Sequence, residues 1–254
     1  MASRIKIQNR VNMERVSISN QRSKGRKPND LRQVSFTRNY QTSALGSCLV
    51  EFGDTRVICA ASIDESVPGW LKNKNRGWIT AEYSMLPSST PVRTKRETMG
   101  LKGRTQEIQR LIGRSLRAVV NMSSLGELTM TVDCDVLQAD GGTRTASICG
   151  AWIAMNYAFD NWHRAGKIKT NPVFDQLVAV SVGVVDGVCL LDLDYHEDSR
   201  AEIDMNLVMT GSGEFIEVQG TGERSGFDRK LLNELLDLGT AGLSTLLDLQ
   251  KQSI

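Results

Sequence analysis

Asp140-Gly141-Gly142-Thr143-Arg144-Thr145-Ala146-Ser147 stands between a strand-like run, Leu128–Leu137, and a long apolar run that reads as a helix through Phe159. Paired glycines let the main chain approach a ligand closely, and the first N–H groups of the following helix point outward at the positive end of its dipole. Thr143 and Arg144 add a hydroxyl and a guanidinium, so the turn suits an oxyanion such as phosphate. It is not a P-loop, since no Gly-Lys-Ser/Thr follows, and it lacks the G-x-G-x-x-G spacing. An ordinary glycine turn with an N-cap would carry the same residues.

Two charged clusters accompany it. Between positions 93 and 117 lie Arg93, Lys95, Arg96, Lys102, Arg104, Arg110, Arg114 and Arg117, with only Glu97 and Glu107 opposing them. Guanidinium forks suit phosphate oxygens, and Arg104 falls near an expected helix start, where it would add charge to an anion site. Arg110, Arg114 and Arg117 fit a solvated or subunit-facing stripe equally well. The acids Asp192, Asp194, Glu197, Asp198, Glu202 and Asp204 gather around a loop between two hairpins. If they converge, they suit a hard divalent cation such as magnesium; if they do not, they are a solvated acidic face.

The elements that must position these residues follow from periodicity. Ser47–Phe52 and Thr55–Ala60 flank Gly53-Asp54 and predict a hairpin. Residues 65–103, rich in Gly, Ser, Pro and charge, predict loops around at most one strand. Arg104–Val120 carries Ile108, Leu111, Ile112, Leu116, Val119 and Val120 at helical spacing. Leu177–Val185 and Val188–Leu193 flank Asp186-Gly187, a hairpin signal, and Ile203–Met209 and Phe215–Val218 form another pair. Asp228–Gln250 closes the chain as a leucine-rich amphipathic helix. Hairpins followed by helices predict an α+β fold, mixed β-sheets packed with helices, and not a doubly wound parallel sheet.

Composition bounds the function classes. No run approaches the roughly 18 consecutive apolar residues of a membrane span, and the N-terminus lacks the apolar core of a secretory signal, so a soluble, cytoplasmic protein is expected. The five cysteines are odd in number, scattered and mostly within apolar runs, which reads as buried small hydrophobes in a reducing compartment. His163 and His196 have no partner at zinc-site spacing. Of the 31 basic residues eight fall in the first 30 positions, against two of the 29 acids, so the head is +6 and the remainder −4. Residues 1–25 are therefore expected to be a flexible basic arm and 26–254 a single domain. The arm suits nucleic-acid phosphates, a solvated tail or an Arg-rich targeting peptide.

Ordered matches along nearly the whole body resemble the ribonuclease PH family. They are Leu31-Arg32-Gln33-Val34-Ser35-Phe36-Thr37-Arg38-Asn39-Tyr40, Val50-Glu51-Phe52-Gly53-Asp54-Thr55, Thr80-Ala81-Glu82-Tyr83-Ser84-Met85-Leu86-Pro87 and Gly103-Arg104-Thr105-Gln106-Glu107-Ile108-Gln109-Arg110. Asp133 through Thr145, Lys169-Thr170-Asn171-Pro172, and Glu197-Asp198-Ser199 through Asp204-Met205-Asn206 continue the series. The resemblance implies a fold like domain 2 of ribosomal protein S5, a homohexamer built as a trimer of dimers, and 3′→5′ trimming of tRNA precursors. It further implies inorganic phosphate as co-substrate, nucleoside diphosphates as products, and magnesium; the sequence leaves open whether manganese takes its place. A non-catalytic RNA-binding ring subunit of an exosome-like assembly is the rival class, and such subunits typically lose the phosphate arginine or the acidic pair.

Carried over residue by residue, the family's phosphate site falls on Arg104, Gly142, Thr143 and Arg144, its catalytic and metal-holding carboxylates on Asp198 and Asp204, and its RNA-contacting arginines on Arg93 and Arg96. Two departures touch the last group: Ser88 stands where many relatives carry a base, and the loop from Arg96 to Arg104 is about two residues shorter than usual. The basic arm is also longer than the resemblance implies.

Overall fold

The computed structural model describes residues 22–224 and 226–254; the expected basic arm, as far as residue 21, lies outside them. Its end, however, is part of the body. Arg22 is buried, its guanidinium donating to Glu197 at 2.7 and 2.9 Å and to the Leu191 carbonyl at 2.7 Å. The body thus begins before residue 26, because a buried carboxylate draws this arginine in.

Strands β1 (Val34–Arg38), β2 (Gly46–Phe52), β3 (Thr55–Asp64), β4 (Trp78–Met85) and β5 (Thr129–Gln138) make one sheet in the order β1-β2-β3-β5-β4. Helix α1 (Gly103–Arg117) lies between β4 and β5 in sequence, and these two strands are parallel, whereas all other pairs are antiparallel. The expected single strand within residues 65–103 is thus one arm of a strand–helix–strand crossover, which a parallel pair requires. Helix α2 (Thr143–Arg164) follows β5. Strands β6 (Leu177–Val185), β7 (Val188–Leu191), β8 (Ile203–Thr210) and β9 (Phe215–Gly222) form the second sheet in the order β7-β6-β8-β9, with the one-turn helix α3 (Tyr195–Asp198) inserted and α4 (Arg229–Gln252) at the end.

Helix α2 packs on β2 and β3 on one side and on β6 on the other, and α4 covers β6 and β7. This explains two residue patterns. From Thr145 to Met155 every residue of α2 is buried, as a helix enclosed on all sides requires, and β6 is buried at all its positions. One hydrophobic core runs through both sheets and includes Phe52, Ile112, Ile153, Leu177 and Leu243. Helix α1 is instead amphipathic: Ile108, Leu111, Ile112 and Leu116 face inward, and Arg110 and Arg114 face out.

Helix α1 stops at Arg117, short of the expected Val120, because Val120 pairs with Val173 as an isolated bridge and Val119 accepts from the Phe174 amide. Strand β7 stops at Leu191, short of Leu193, because Asp192 takes a left-handed backbone (φ 54°) that turns its carboxylate into the protein. Cys48, Cys59, Cys134 and Cys149 are buried, Cys189 is partly so, and none is bridged. Among the described residues no helix is long and apolar enough to cross a membrane.

Candidate active site

The glycine turn lies at the N-terminus of α2, as its sequence implies. Gly141 and Gly142 have φ of 74° and 62°, backbone that an L side chain adopts only under strain. A Cβ on Gly141 would also stand 2.6–2.9 Å from main-chain atoms of Leu193, Asp194 and Tyr195. No side chain caps α2, so the first-turn N–H groups are left for a ligand. Thr143 is buried, its hydroxyl 2.8 Å from that of Tyr83 on β4. Burial raises the Tyr83 phenol above its usual range, while Thr143, Arg104 and Arg144 pull against that.

Arg144, one residue further, is held by side chains from two other elements. Its Nη1 donates at 2.8 Å to Gln219 on β9 and at 3.1 Å to Glu107 on α1. Arg104 is the second residue of α1 and is exposed.

Opposite these cations stand Asp198, at the end of α3, and Asp204, on β8. Partial burial of its carboxyl pushes Asp198 upward in pKa, with Arg104 and Arg144 opposing the shift. Burial, followed by repulsion from Asp198, pushes Asp204 up to about 6, again against Arg144 and Arg104. Two carboxylates and two guanidiniums thus share one electrostatic neighbourhood, although Arg104 and Asp204 are 100 positions apart in the chain.

Of the two readings left open for the acidic cluster, neither holds for the whole group, because most of the acids are taken up by other partners. Asp192 pairs with Arg32 at 2.7 Å, Asp194 caps α3 and meets Arg26 at 3.2 Å, Glu197 meets Arg22 and Arg26, and Glu202 receives the Gly187 amide. Only Asp198 and Asp204 remain. Among the described residues no group of three or more His, Cys, Asp or Glu could hold a metal. A mutually repelling pair still fits magnesium, which keeps several waters and binds through one or two carboxylates together with substrate phosphates.

Arg93 and Arg96 lie on the exposed irregular chain between β4 and α1, and Arg96 lines a cavity together with Tyr83 and Arg104. Arg96 acts on Asp135 of β5, lowering a pKa that burial and Glu82 raise. Sequence reasoning missed Tyr83, Glu107, Gln219 and Glu223, the last of which adds negative charge to both Asp198 and Asp204. Tyr83 carried a signal, since it shares the inward face of β4 with Ile79 and Ala81 and so places a polar tip inside. Gln219 carried none.

Comparison with known proteins matches this arrangement to one family. Residues 30–158 fit domain 1 of the 3′ exoribonuclease family, and residues 175–242 fit its domain 2. Ribonuclease PH of Synechococcus sp. (strain CC9605) is 54% identical over 232 residues, 91% of this chain and 94% of that protein. Among solved structures, rice (Oryza sativa) Rrp46 superposes with a TM-score of 0.73 at 22% identity, over 91% of this chain and 98% of that one. The Archaeoglobus fulgidus exosome with RNA bound to the active site superposes at 0.77 with 25% identity, over 90% and 92%. Both superpositions extend over nine-tenths of this chain, and the family matches cover the turn, both arginines and both carboxylates: the chain belongs to the 3′ exoribonuclease family.

Proposed function

We propose that the chain is a phosphate-dependent 3′→5′ exoribonuclease whose site comprises Arg104, Gly142, Thr143 and Arg144 for phosphate and Asp198 and Asp204 as the catalytic carboxylates. The observation that carries this reading is the uncapped N-terminus of α2 with Arg104 and Arg144 beside the Asp198–Asp204 pair. Inorganic phosphate binds the first N–H groups of α2 and the two guanidiniums. One of its oxygens attacks the phosphorus of the last internucleotide link, the bond to the 3′ oxygen breaks, and that oxygen takes up the proton given up by the attacking phosphate, leaving an RNA one nucleotide shorter with a 3′ hydroxyl and a nucleoside diphosphate. Phosphate is itself the nucleophile, so no side chain need be one, and positioning with charge neutralisation supplies the acceleration. Asp198 and Asp204 would hold magnesium, or manganese in its place, and the cation would neutralise charge on the substrate phosphates.

The RNA is a tRNA precursor, a reading supported by the likeness to ribonuclease PH over almost the whole chain. Arg93 and Arg96 contact it; their exposure and charge support that role. Assembly is a homohexamer, a trimer of dimers, and the exposed Phe215 and Val218 on the edge strand β9 support burial against other copies. Five unbridged cysteines support the cytoplasm as its compartment.

The test is incubation of the purified protein with a 3′-extended tRNA and magnesium, with and without phosphate, resolving the released nucleotides by charge. Diphosphates formed only with phosphate, and lost in Arg144→Ala and Asp204→Ala, are expected. Monophosphates formed without phosphate would mean a hydrolase and overturn the roles of Arg104 and Arg144. RNA binding without release would mean a non-catalytic subunit.

A further inference from the structure

One buried ion pair takes no part in the chemistry above, yet it touches both halves of the site. The Arg32 side chain is 4% exposed and that of Asp192 is 0%. Arg32 donates to Asp192 through its main-chain N–H at 2.8 Å, Nε at 3.1 Å and Nη2 at 2.7 Å, so three bonds fix the carboxylate. The remaining arm, Nη1, reaches the glycine turn and donates to the carbonyls of Asp140 and Gly141. The buried Thr55 hydroxyl completes this hold, donating to the Gly141 carbonyl at 2.7 Å and accepting from the Asp140 amide at 2.9 Å.

These contacts aim the turn. In a trans peptide the N–H points opposite to the C=O, and the described chain has no cis bond. With the Asp140 and Gly141 carbonyls drawn inward by Arg32 and Thr55, the N–H groups of Gly141 and Gly142 point the other way, beside the free first turn of α2. Gly142 is packed against the same device, since a Cβ there would stand 2.8 Å from Arg32 Nη2. Asp192 anchors the other half: its amide bonds to Ser181 of β6 at 2.7 Å, and the chain then runs through the Asp194 cap into α3 and Asp198. Arg32 therefore spans from the anion turn to the segment that carries a catalytic carboxylate.

The geometry points to Arg32, Asp192 and Thr55 as positioning residues that aim the Gly141–Gly142 amides at phosphate and fix them relative to Asp198. This rests on the phosphate site proposed above. A guanidinium is required, because it serves Asp192 and the turn carbonyls at once, whereas an ammonium is a single point of charge.

The experiment is steady-state kinetics on the full chain, varying phosphate at saturating RNA and RNA at saturating phosphate, for wild type, Arg32→Lys and Thr55→Val. Arg32→Lys is expected to raise the KM for phosphate about tenfold or more, with the KM for RNA unchanged; Thr55→Val, nearly isosteric, moves it in the same direction by less. A phosphate KM within about twofold of wild type in folded Arg32→Lys overturns the inference, as does an equal rise in both KM values, the mark of general loosening. If Arg32→Lys does not fold, Thr55→Val decides by the same criterion. A wild-type enzyme indifferent to phosphate marks failure of the site reading itself and takes this inference with it; phosphate dependence with unmoved variants marks failure of the inference alone.

Discussion

Gln219 Oε1 on β9 accepts from Arg144 Nη1 at 2.8 Å, while Gln219 Nε2 donates to Glu107 at 3.3 Å, so a neutral amide locks a guanidinium and a carboxylate into one triangle. Glu107 alone leaves Arg144 a single partner on α1, and its own side chain is 42% exposed. Gln219→Leu should therefore free the guanidinium without removing its charge. Its phosphate KM is expected to rise severalfold, on the order of 1 kcal/mol, with kcat within twofold of wild type, which initial rates against phosphate concentration would check.

Asp204 carries a cost to stability. Its folded pKa, about 6, lies above the ordinary 3.8, so between these values the folded state binds the proton more tightly than the unfolded chain does. Above pH 6 both states are ionised and the charged group burdens the fold fully; below pH 4 both are protonated and the burden is gone. Asp204→Asn should be inactive and yet more stable than wild type at pH 7.5, by on the order of 2 kcal/mol after allowance for partial exposure. Urea unfolding at pH 7.5 and pH 4 tests this, and an advantage of equal size at both values would refute the electrostatic cause.

With magnesium held as proposed, the same titration would set the pH response of cation binding. A carboxylate must be ionised to hold a metal, so magnesium affinity should weaken as pH falls through 6 and level off above 7. Calorimetric titration of magnesium into the protein between pH 5 and 8 would reveal the trend, and Asp204→Asn should flatten it.

Gly141→Ala meets both a left-handed φ and a wall of backbone from Leu193 to Tyr195. Since main chain on that side cannot rotate away as a side chain would, the substitution should cost about 3 kcal/mol or more. Denaturant melts should place it well below wild type; Gly126→Ala, with a similar φ but open space around it, should lose less.

Glu197→Gln keeps shape and removes charge from a carboxylate that meets both Arg22 and Arg26 at 2.7–3.1 Å. The side chains of both arginines and of Glu197 are under a tenth exposed. Arg26 keeps Asp194, but leaving the buried Arg22 without its counter-charge should cost roughly 3 kcal/mol. Limited proteolysis would report the consequence as new cleavage near residues 22–27.

The place of the glycine turn at the start of α2 was legible because all its signals are local: two glycines, a strand before them and an apolar run after. Arg104 and Arg144 were legible for the same reason, each falling at a helix start. The acids were not separable by sequence, since what distinguishes Asp192, Asp194 and Glu197 from Asp198 and Asp204 is the arginine each one meets. Those arginines, Arg22, Arg26 and Arg32, stand 160 to 175 positions earlier in the chain. The crossover from β4 through α1 to β5 was hidden likewise, because parallel pairing leaves no turn signature between its strands. Element ends at Val120 and Leu193 were overrun because apolar residues continue past the point where their hydrogen bonding changes.

Helix α2 bears at one end the uncapped amides proposed to receive phosphate and, along much of its length, the centre of the core between the sheets. The proposed receptor surface is thus carried on a core helix and not on a surface hinge, so its backbone is continuous with the buried run Thr145–Met155. Ligand occupancy and global unfolding are consequently one thermodynamic system: millimolar phosphate should move the entire melting transition upward by mass action. Amide hydrogens of the buried middle of α2 should then slow their exchange by the same free energy.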